Sequence, residues 1–349
     1  MAAFRVPPWP CLKLIRFPGV KRAGTGMNTG AFTISIDFEL YWGVRDTRSL
    51  DAYRDHLDGV AQAIPRMLDL FEQHRIHATW ATVGFLFCHD RDAALSAAPS
   101  ARPGYENGAL CPYRYLERSA DLEERYHFAP RLVELVAATP GQEVASHTFS
   151  HYYCREAGQT AATFSADLAA ATRIAAAQGL VLRSLVFPRN QWNPDYLAVL
   201  AEHGFAAYRG NEHGWLYAAT DHGGQNALRR MGRLLDSYVN LSGHHTYTLE
   251  SCAGSLPLNF PASRFLRPCN PRLTWLEGLR LHRIRRAMRH AARRREVFHL
   301  WWHPHNFGVD TDRNMRFLER VIEEFEHLRR VEGMRSLGMA ELADALAAE

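Results

Sequence analysis

Lysine is almost absent from this chain of 349 residues. Only Lys13 and Lys21 occur, and arginine supplies every other formal cation of a chain whose formal net charge is +4. The charge is unevenly placed, because residues 280–295 contain eight arginines and no acidic residue. The body of the chain is therefore slightly acidic and carries one strongly basic strip.

Paired cysteines and long apolar runs are also missing. The six cysteines are scattered without a CxxC pair, which argues against a disulfide framework and against a cysteine-bound zinc cluster. No apolar run reaches the roughly 18 residues that span a bilayer. The first 26 residues lack the continuous apolar stretch of a secretion signal. These absences predict a cytoplasmic protein with reduced thiols.

The composition changes near residue 27. Residues 1–26 are basic and rich in proline and glycine, and both lysines lie in this stretch. We interpret them as a flexible tail or a mis-set start that precedes Met27. Residues 27–349, in a chain that is 47% hydrophobic, suffice for a substantial core. They are predicted to form one catalytic domain.

Strand-like and helix-like segments alternate along this domain. The predicted strands are residues 31–37, 77–87, 143–146, 183–188 and 297–302, and the predicted helices are residues 51–71, 130–139, 162–180, 193–205 and 312–333. Residues 98–120 are predicted as a long loop, and about 210–295 as an irregular insertion whose last part is a basic helix. A short strand and a helix close the chain. The alternation predicts a parallel α/β fold, either open or closed into a barrel.

Polar side chains follow several of the predicted strands, where such folds place their active residues. Asp37 and Glu39 stand at the end of the first strand, and His147 and His151 follow the third. His303 and His305 follow the late strand, and Arg189 follows the fourth.

Each of these pairs of residues also has an ordinary structural explanation. His147 and His151 could be surface histidines, and Asp37 and Glu39 could cap the next helix or pair with Arg45. In a helical turn, however, histidines four apart share one face, and carboxylates two apart on a strand share one side. Two imidazoles and a carboxylate on neighbouring strand ends could bind a divalent ion and leave positions open for water.

The motifs resemble those of the polysaccharide deacetylases, carbohydrate esterase family four. The resemblance is carried by "SIDFE", "ATWATVGF", "SHTFSH" and a late strand that ends in histidine, in the family's order over residues 31–345. It implies a distorted, incomplete (β/α) barrel that removes N-acetyl groups from amino sugars with one divalent metal ion. Zn²⁺ is the expected ion, with Co²⁺ or Ni²⁺ as alternatives.

The resemblance also implies roles for individual residues. His147 and His151 would bind the metal, and Asp37 would be the general base. Phe38 occupies the place of the second aspartate found in much of the family, so Glu39 is expected to be the third metal ligand. The spacing resembles the branches that read acid, any residue, acid.

Three further positions match the family less closely. His303 is expected to be the general acid in preference to His305, because "HPH" followed by asparagine resembles the family's His-Pro turn. Arg189 is expected to hold Asp37, although Pro188 precedes it where the family has proline two residues after arginine. Asp236 could orient the catalytic histidine or be an ordinary loop aspartate.

The substrate is the least constrained part of the interpretation. We expect a polyprenyl- or nucleotide-linked amino sugar in an intracellular precursor of surface polysaccharide, and no nucleic acid. Residues 276–295 could contact the inner face of the membrane or pack on the barrel. The alternatives are a deformylase or another amide hydrolase acting on a non-sugar, an inactive barrel, and a non-catalytic protein whose arginines bind nucleic acid or a membrane.

Overall fold

The computed structural model of this protein describes residues 28–119, 121–217 and 227–348. The predicted tail, residues 1–26, lies outside the described residues. Within them the strands are Ala31–Phe38 (β1), Ala78–Thr82 (β2), Gln142–Ser146 (β3), Ser184–Val186 (β4), Ala207–Arg209 (β5), Leu258–Asn259 (β6), Arg264–Phe265 (β7), Val297–Trp302 (β8) and Arg335–Ser336 (β9).

The helices lie between and after these strands. They are Leu50–Asp58 (α1), Val60–His74 (α2), Arg91–Ala97 (α3), Pro112–Arg118 (α4), Pro130–Ala138 (α5), Ala161–Ala176 (α6), Leu197–Glu202 (α7), Ala227–Asp236 (α8), Glu277–Arg294 (α9), Thr311–Glu332 (α10) and Met339–Ala347 (α11). No helix among the described residues is long and apolar enough to cross a membrane.

The strands form a single curled sheet. Their order is β6-β5-β4-β3-β2-β1-β8-β7, with β9 beside β1, and every one of these pairings is parallel. Strands β6 and β7 end the order on opposite sides, so the sheet is an incomplete barrel surrounded by helices. The predicted fold class, a distorted, incomplete (β/α) barrel with irregular insertions, is confirmed.

Strand β1 lies between β2 and β8 in the sheet and brings the first acidic side chain to its carboxyl end. All eight residues of β1 are buried, as expected for a parallel strand covered on both faces. Phe32 packs against Phe325 of α10, with ring centroids 5.3 Å apart. Because side chains alternate along a strand, Ser35 and Asp37 lie on the opposite, inner face.

Several element predictions need correction. Strand β2 ends at Thr82, because residues 84–87 turn into a 3-10 helix whose first amides donate to the carbonyl oxygens of Thr148 and Phe149. The stretch predicted as a loop, residues 98–120, contains helix α4. Strand β5 has no counterpart among the predicted strands.

The basic helix predicted within residues 276–295 is α9. Its apolar side chains Ile284 and Met288 are buried in the main core. Arg289 on its outer side makes a bidentate ion pair with Glu324 of α10, at 2.7 and 2.9 Å. The apolar face of α9 is thus used for packing within the protein.

Candidate active site

Three predicted ligand residues meet at the carboxyl ends of β1 and β3. Oε2 of Glu39 lies 3.2 Å from Nε2 of His147 and 3.0 Å from Nε2 of His151. All three side chains are buried, and their candidate ligand atoms lie within 4.8 Å of one another. The other member of the first acidic pair, Asp37, precedes Glu39 by two residues on the same inner face.

The loop that presents the two histidines is not helical, so the expected helical turn is wrong. Thr148 and His151 have left-handed backbone angles, with φ of 63° and 56°. Oδ1 of the buried Asp167 accepts hydrogen bonds from the amides of Phe149 and Ser150, at 2.7 and 3.4 Å. Oδ2 of Asp167 accepts from the Ser150 hydroxyl at 2.5 Å.

The hydroxyl of Thr148 completes this loop. It accepts a hydrogen bond from the amide of Tyr152 at 2.7 Å. The loop curls around Asp167 and Thr148, and this curl turns both imidazoles toward Glu39. Burial raises the pKa of Asp167 to about 6. Asp167 is a positioning residue that the sequence motifs do not identify.

The protonation pattern around Glu39 fits a divalent cation. Nδ1 of His147 lies 2.9 Å from the carbonyl oxygen of Val186, which can only accept, so Nδ1 carries the proton. In the neutral imidazole, Nε2 then presents an electron pair to the Glu39 carboxylate. Two buried acceptors facing each other need a proton or a cation between them. This arrangement of imidazole and carboxylate ligands is suited to zinc.

The charge states agree with a metal site. Burial opposes the charge of Glu39, but the neighbouring His303 holds the pKa of its carboxyl well below the ordinary value. Burial lowers the pKa of His151 to about 4, so this imidazole is neutral at pH 7 and free to donate its electron pair.

Gly43 leaves the space that the Glu39 side chain occupies. A Cβ atom at position 43 would collide with the carboxylate of Glu39. We expect Gly43→Ala to displace that carboxylate and to weaken Zn²⁺ binding by about 10–100-fold, measured by isothermal titration. Gly278→Ala is the matched control, because a Cβ there meets nothing within 4 Å. Equal affinities of the two variants would contradict the placement of Glu39.

Asp37 is held by Arg209 and not by Arg189, which corrects the prediction for Arg189. Nη1 and Nη2 of Arg209 each lie 2.7 Å from one carboxylate oxygen of Asp37. Arg189 instead forms an ion pair with Asp46 and lies over the ring of Tyr153, 4.3 Å from its centroid. Arg209 belongs to β5, the strand that no sequence pattern indicates.

Arg209 is itself fixed on several sides. Its Nη1 donates to the Ser35 hydroxyl at 2.9 Å, and its Nη2 donates to the Asn190 side chain at 2.8 Å. Trp301 stacks on the guanidinium at 4.3 Å. Burial alone would raise the pKa of Asp37, but Arg209 and His303 hold it below the ordinary value. Asp37 is therefore ionised and oriented.

We expect Arg209→Lys to reduce activity by about 10²-fold, since one ammonium cannot hold both oxygens of Asp37 and a small misplacement of a reacting group is costly. The acid limb of the pH–rate profile should move to higher pH, because Asp37 loses part of the stabilisation of its ionised form. Arg183→Lys is the control, because Arg183 makes a bidentate pair with Asp344 on the surface. An unchanged pH profile in Arg209→Lys would contradict the role of Arg209.

His303 faces the two carboxylates from the end of β8. Its Nε2 lies 3.4 Å from Oε1 of Glu39 and 3.8 Å from Oδ2 of Asp37. Its Nδ1 donates to the side-chain oxygen of Asn306 at 3.2 Å, which fixes the ring orientation. His303 is partly exposed, whereas His305 is buried.

His305 stacks behind His303, with ring centroids 4.9 Å apart and planes 12° from parallel. Burial and the neighbouring His303 lower the pKa of His305 to about 3, so His305 is neutral at pH 7 and unsuited to donating a proton. Glu39, His303 and His305 form a second group of close ligand atoms. The group of Glu39, His147 and His151 is the more enclosed of the two.

Asp236 is bonded to Tyr217, Arg264 and the segment after α8. It accepts a hydrogen bond from the Tyr217 hydroxyl at 2.8 Å and pairs with Arg264 at 3.2 Å. Its other oxygen accepts from the amides of Leu241 and Ser242, both at 2.9 Å. The structure therefore gives Asp236 a role in holding the segment after α8.

The segments around the site are held in unusual backbone conformations. Non-glycine residues with left-handed φ occur at Leu40, Thr148, His151, Arg189 and Asn190, with φ between 47° and 63°. Such conformations persist only where the surroundings enforce them. The hydrogen bonds of Asp167 and Thr148 supply that enforcement in the histidine loop.

A parallel half-barrel with its ionisable groups gathered at the carboxyl ends of the strands places this protein in the (β/α)-barrel class and gives it a candidate active site. Part of the chain is similar to the polysaccharide deacetylase family. Residues 56–208 match the family model described as polysaccharide deacetylase, and this match supports a hydrolase of the deacetylase type. No curated protein sequence matches the chain.

Solved structures share the fold at low sequence identity. A protein of Mycobacterium smegmatis assigned to the polysaccharide deacetylases has 15% identity and a TM-score of 0.57 over 93% of each chain. One of Pseudomonas aeruginosa PAO1, assigned likewise, has 13% identity and a TM-score of 0.54 over 91% of each chain. The Puue allantoinase has 12% identity and a TM-score of 0.52, over 91% of this chain and 90% of its own.

Proposed function

We propose that this protein is a divalent-metal-dependent hydrolase that removes the N-acetyl group from an amino sugar. The observation that carries the proposal is the buried carboxylate of Glu39, which faces the electron pair of His147 beside the arginine-held Asp37. Glu39, His147 and His151 would hold the ion, Zn²⁺ or alternatively Co²⁺ or Ni²⁺. When bound, such an ion polarises the amide carbonyl and makes a water more acidic.

The chain's own residues supply the proton transfers. Asp37 is kept ionised by Arg209 and accepts the proton of the attacking water. His303 donates a proton from Nε2 to the leaving amine, which is too basic to depart as an anion. Because Asn306 holds the other ring nitrogen, Nε2 is directed at the carboxylates. Water and the amide thereby give a carboxylic acid and an amine.

We propose a glycan precursor linked to a polyprenyl or nucleotide carrier as the substrate, at the cytoplasmic face of the membrane. Rings near the site, such as those of Trp301 and Phe265 beside His303, suit stacking on sugar faces. Deformylation, or hydrolysis of a non-sugar amide, would use the same residues, and the two acyl groups differ in the acid that they release.

The test is to incubate the purified protein, loaded with Zn²⁺, with N-acetylated and N-formylated amino sugars. The proposal requires acetate and free amine in equal amounts, and no release after chelation. Formate release without acetate would establish the alternative. No release from any substrate, together with no bound ion, would point to an inactive barrel.

A further inference from the structure

Helix α8 exposes its apolar face and buries its polar face. A surface helix ordinarily buries its apolar stripe and exposes its polar one. In α8, Leu228, Met231 and Leu235 recur at three and four residues and so share one face, yet these side chains are 50% to 77% exposed. The apolar face of α8 points to solvent.

The polar side of α8 faces the protein instead. Asp236 is fully buried in its pair with Arg264. Arg229 donates to the carbonyl oxygen of Trp215, and a Cβ added at Gly232 would meet the side chain of Leu216 at 2.7 Å. Helix α8 is therefore anchored to the segment around residue 215 by its polar side, and this orientation follows from several contacts.

This segment leads directly to the candidate active site. It follows β5, whose last residue is Arg209, and its Glu212 accepts a hydrogen bond from Nε1 of Trp301 at 3.2 Å. The ring of Trp301 contacts that of His303, with centroids 5.6 Å apart. The segment that anchors α8 thus begins at the carboxyl-end rim of the sheet.

Other exposed apolar side chains occur at the same end of the molecule. Trp215 precedes α8 and is 65% exposed. Trp275 and Leu279 stand at the start of α9, in the connection that leaves the carboxyl end of β7, and are 77% and 50% exposed. Tryptophan is enriched where proteins meet a membrane interface.

The charge of α8 indicates which kind of partner would cover its apolar face. The helix carries Arg229, Arg230 and Arg233 and one acidic residue, Asp236, which is buried with Arg264, so the net charge of the helix is positive. Arg230 is exposed, whereas Arg229 donates to the carbonyl oxygen of Trp215. In a symmetric dimer the same patch would lie on both sides, so two helices of net positive charge would be brought together. Anionic lipid headgroups complement this charge, and their acyl chains can take up the apolar side chains.

We propose that the apolar face of α8, with Trp215 and the start of α9, docks this protein on an anionic lipid bilayer. This deepens the proposed function and rests on it in one respect: the surface would bring the site to an amino sugar on a membrane-bound carrier. Of residues 276–295, the earlier candidate for membrane contact, only the beginning takes part, because Ile284 and Met288 are buried in the core.

The test is sedimentation of the full chain with vesicles of phosphatidylcholine, alone or with phosphatidylglycerol. We expect binding to the anionic vesicles. The combined change Leu228→Gln, Met231→Gln and Leu235→Gln keeps good helix formers and should weaken that binding by at least about tenfold. Val331→Gln is the matched control, because Val331 is 57% exposed on α10. Arg230→Gln should reduce the preference for anionic over neutral vesicles.

Several results would overturn the proposal. They are no sedimentation with anionic vesicles, equal binding of the triple variant, or a wild-type dimer in ultracentrifugation that the triple variant abolishes. Thermal unfolding and activity on a soluble substrate should match wild type in all these variants. Acetate release without vesicle binding would remove the membrane surface and keep the enzyme. Vesicle binding without hydrolysis of any substrate would keep the membrane surface and remove the enzyme.

Discussion

Asp37→Asn should lower the rate of acetate release by about 10²–10⁴-fold while the protein keeps its metal ion, because an amide cannot accept the proton of the attacking water. The substituted side chain would retain the shape of the original and one acceptor for Arg209. Zn²⁺ content should stay near that of wild type, because Asp37 is not among the three proposed ligands. The measurements are steady-state acetate release and metal analysis of the same preparation.

Asp344→Asn provides the matched control for this experiment. Asp344 makes a bidentate pair with Arg183, at 2.8 and 2.5 Å, as Asp37 does with Arg209. The same chemical change is thus made at a surface pair far along the chain, where full activity is expected. Equal acetate release by Asp37→Asn and wild type would remove Asp37 as the base, and loss of the ion would make it a ligand.

His147→Ala should abolish stoichiometric metal binding. It removes one of three proposed ligands, and it leaves the buried Glu39 carboxylate facing a cavity. We expect Zn²⁺ to fall from about one per chain to a trace, and activity to fall by at least about 10²-fold. Metal content after dialysis, with activity in excess Zn²⁺, measures both effects.

The control for His147→Ala is His282→Ala. His282 is exposed on α9 and should keep wild-type metal content. Circular dichroism would verify that the His147 variant remains folded. Retention of one tightly held ion by His147→Ala would shift the metal to the second group, which contains His303 and His305, and would require another residue to be the acid.

The parts of the fold that can be predicted from the sequence are those with a long, regular pattern. Strand β1 is rich in β-branched residues and has an apolar residue at every second position, and α10 repeats its apolar residues at three and four over 22 residues. Strand β5 has only three residues, Ala207–Arg209, too few for any periodicity. It forms because β4 and β6 supply hydrogen bonds on both sides, a tertiary cause that no local pattern contains.

The same limit applies to the residues of the site. The positions of Asp37, Glu39, His147, His151 and His303 follow from strand ends and motif spacing. Arg209 lies on β5, which has no sequence signal, so the pattern points to Arg189, the nearest arginine after a recognised strand. Asp167 has the pattern of an ordinary residue in an amphipathic helix, and its function depends on a loop conformation that sequence spacing does not reveal.

The left-handed residues that surround the candidate site set a limit on engineering this protein for heat resistance. Each such conformation costs of order 1–3 kcal/mol, so substitutions that relax them would be among the first that a screen for thermostability enriches. Thr148→Gly, for example, relieves the backbone at position 148 but removes the hydroxyl that accepts from Tyr152. A screen that selects for stability alone would therefore enrich stable variants in which His147 and His151 no longer face Glu39.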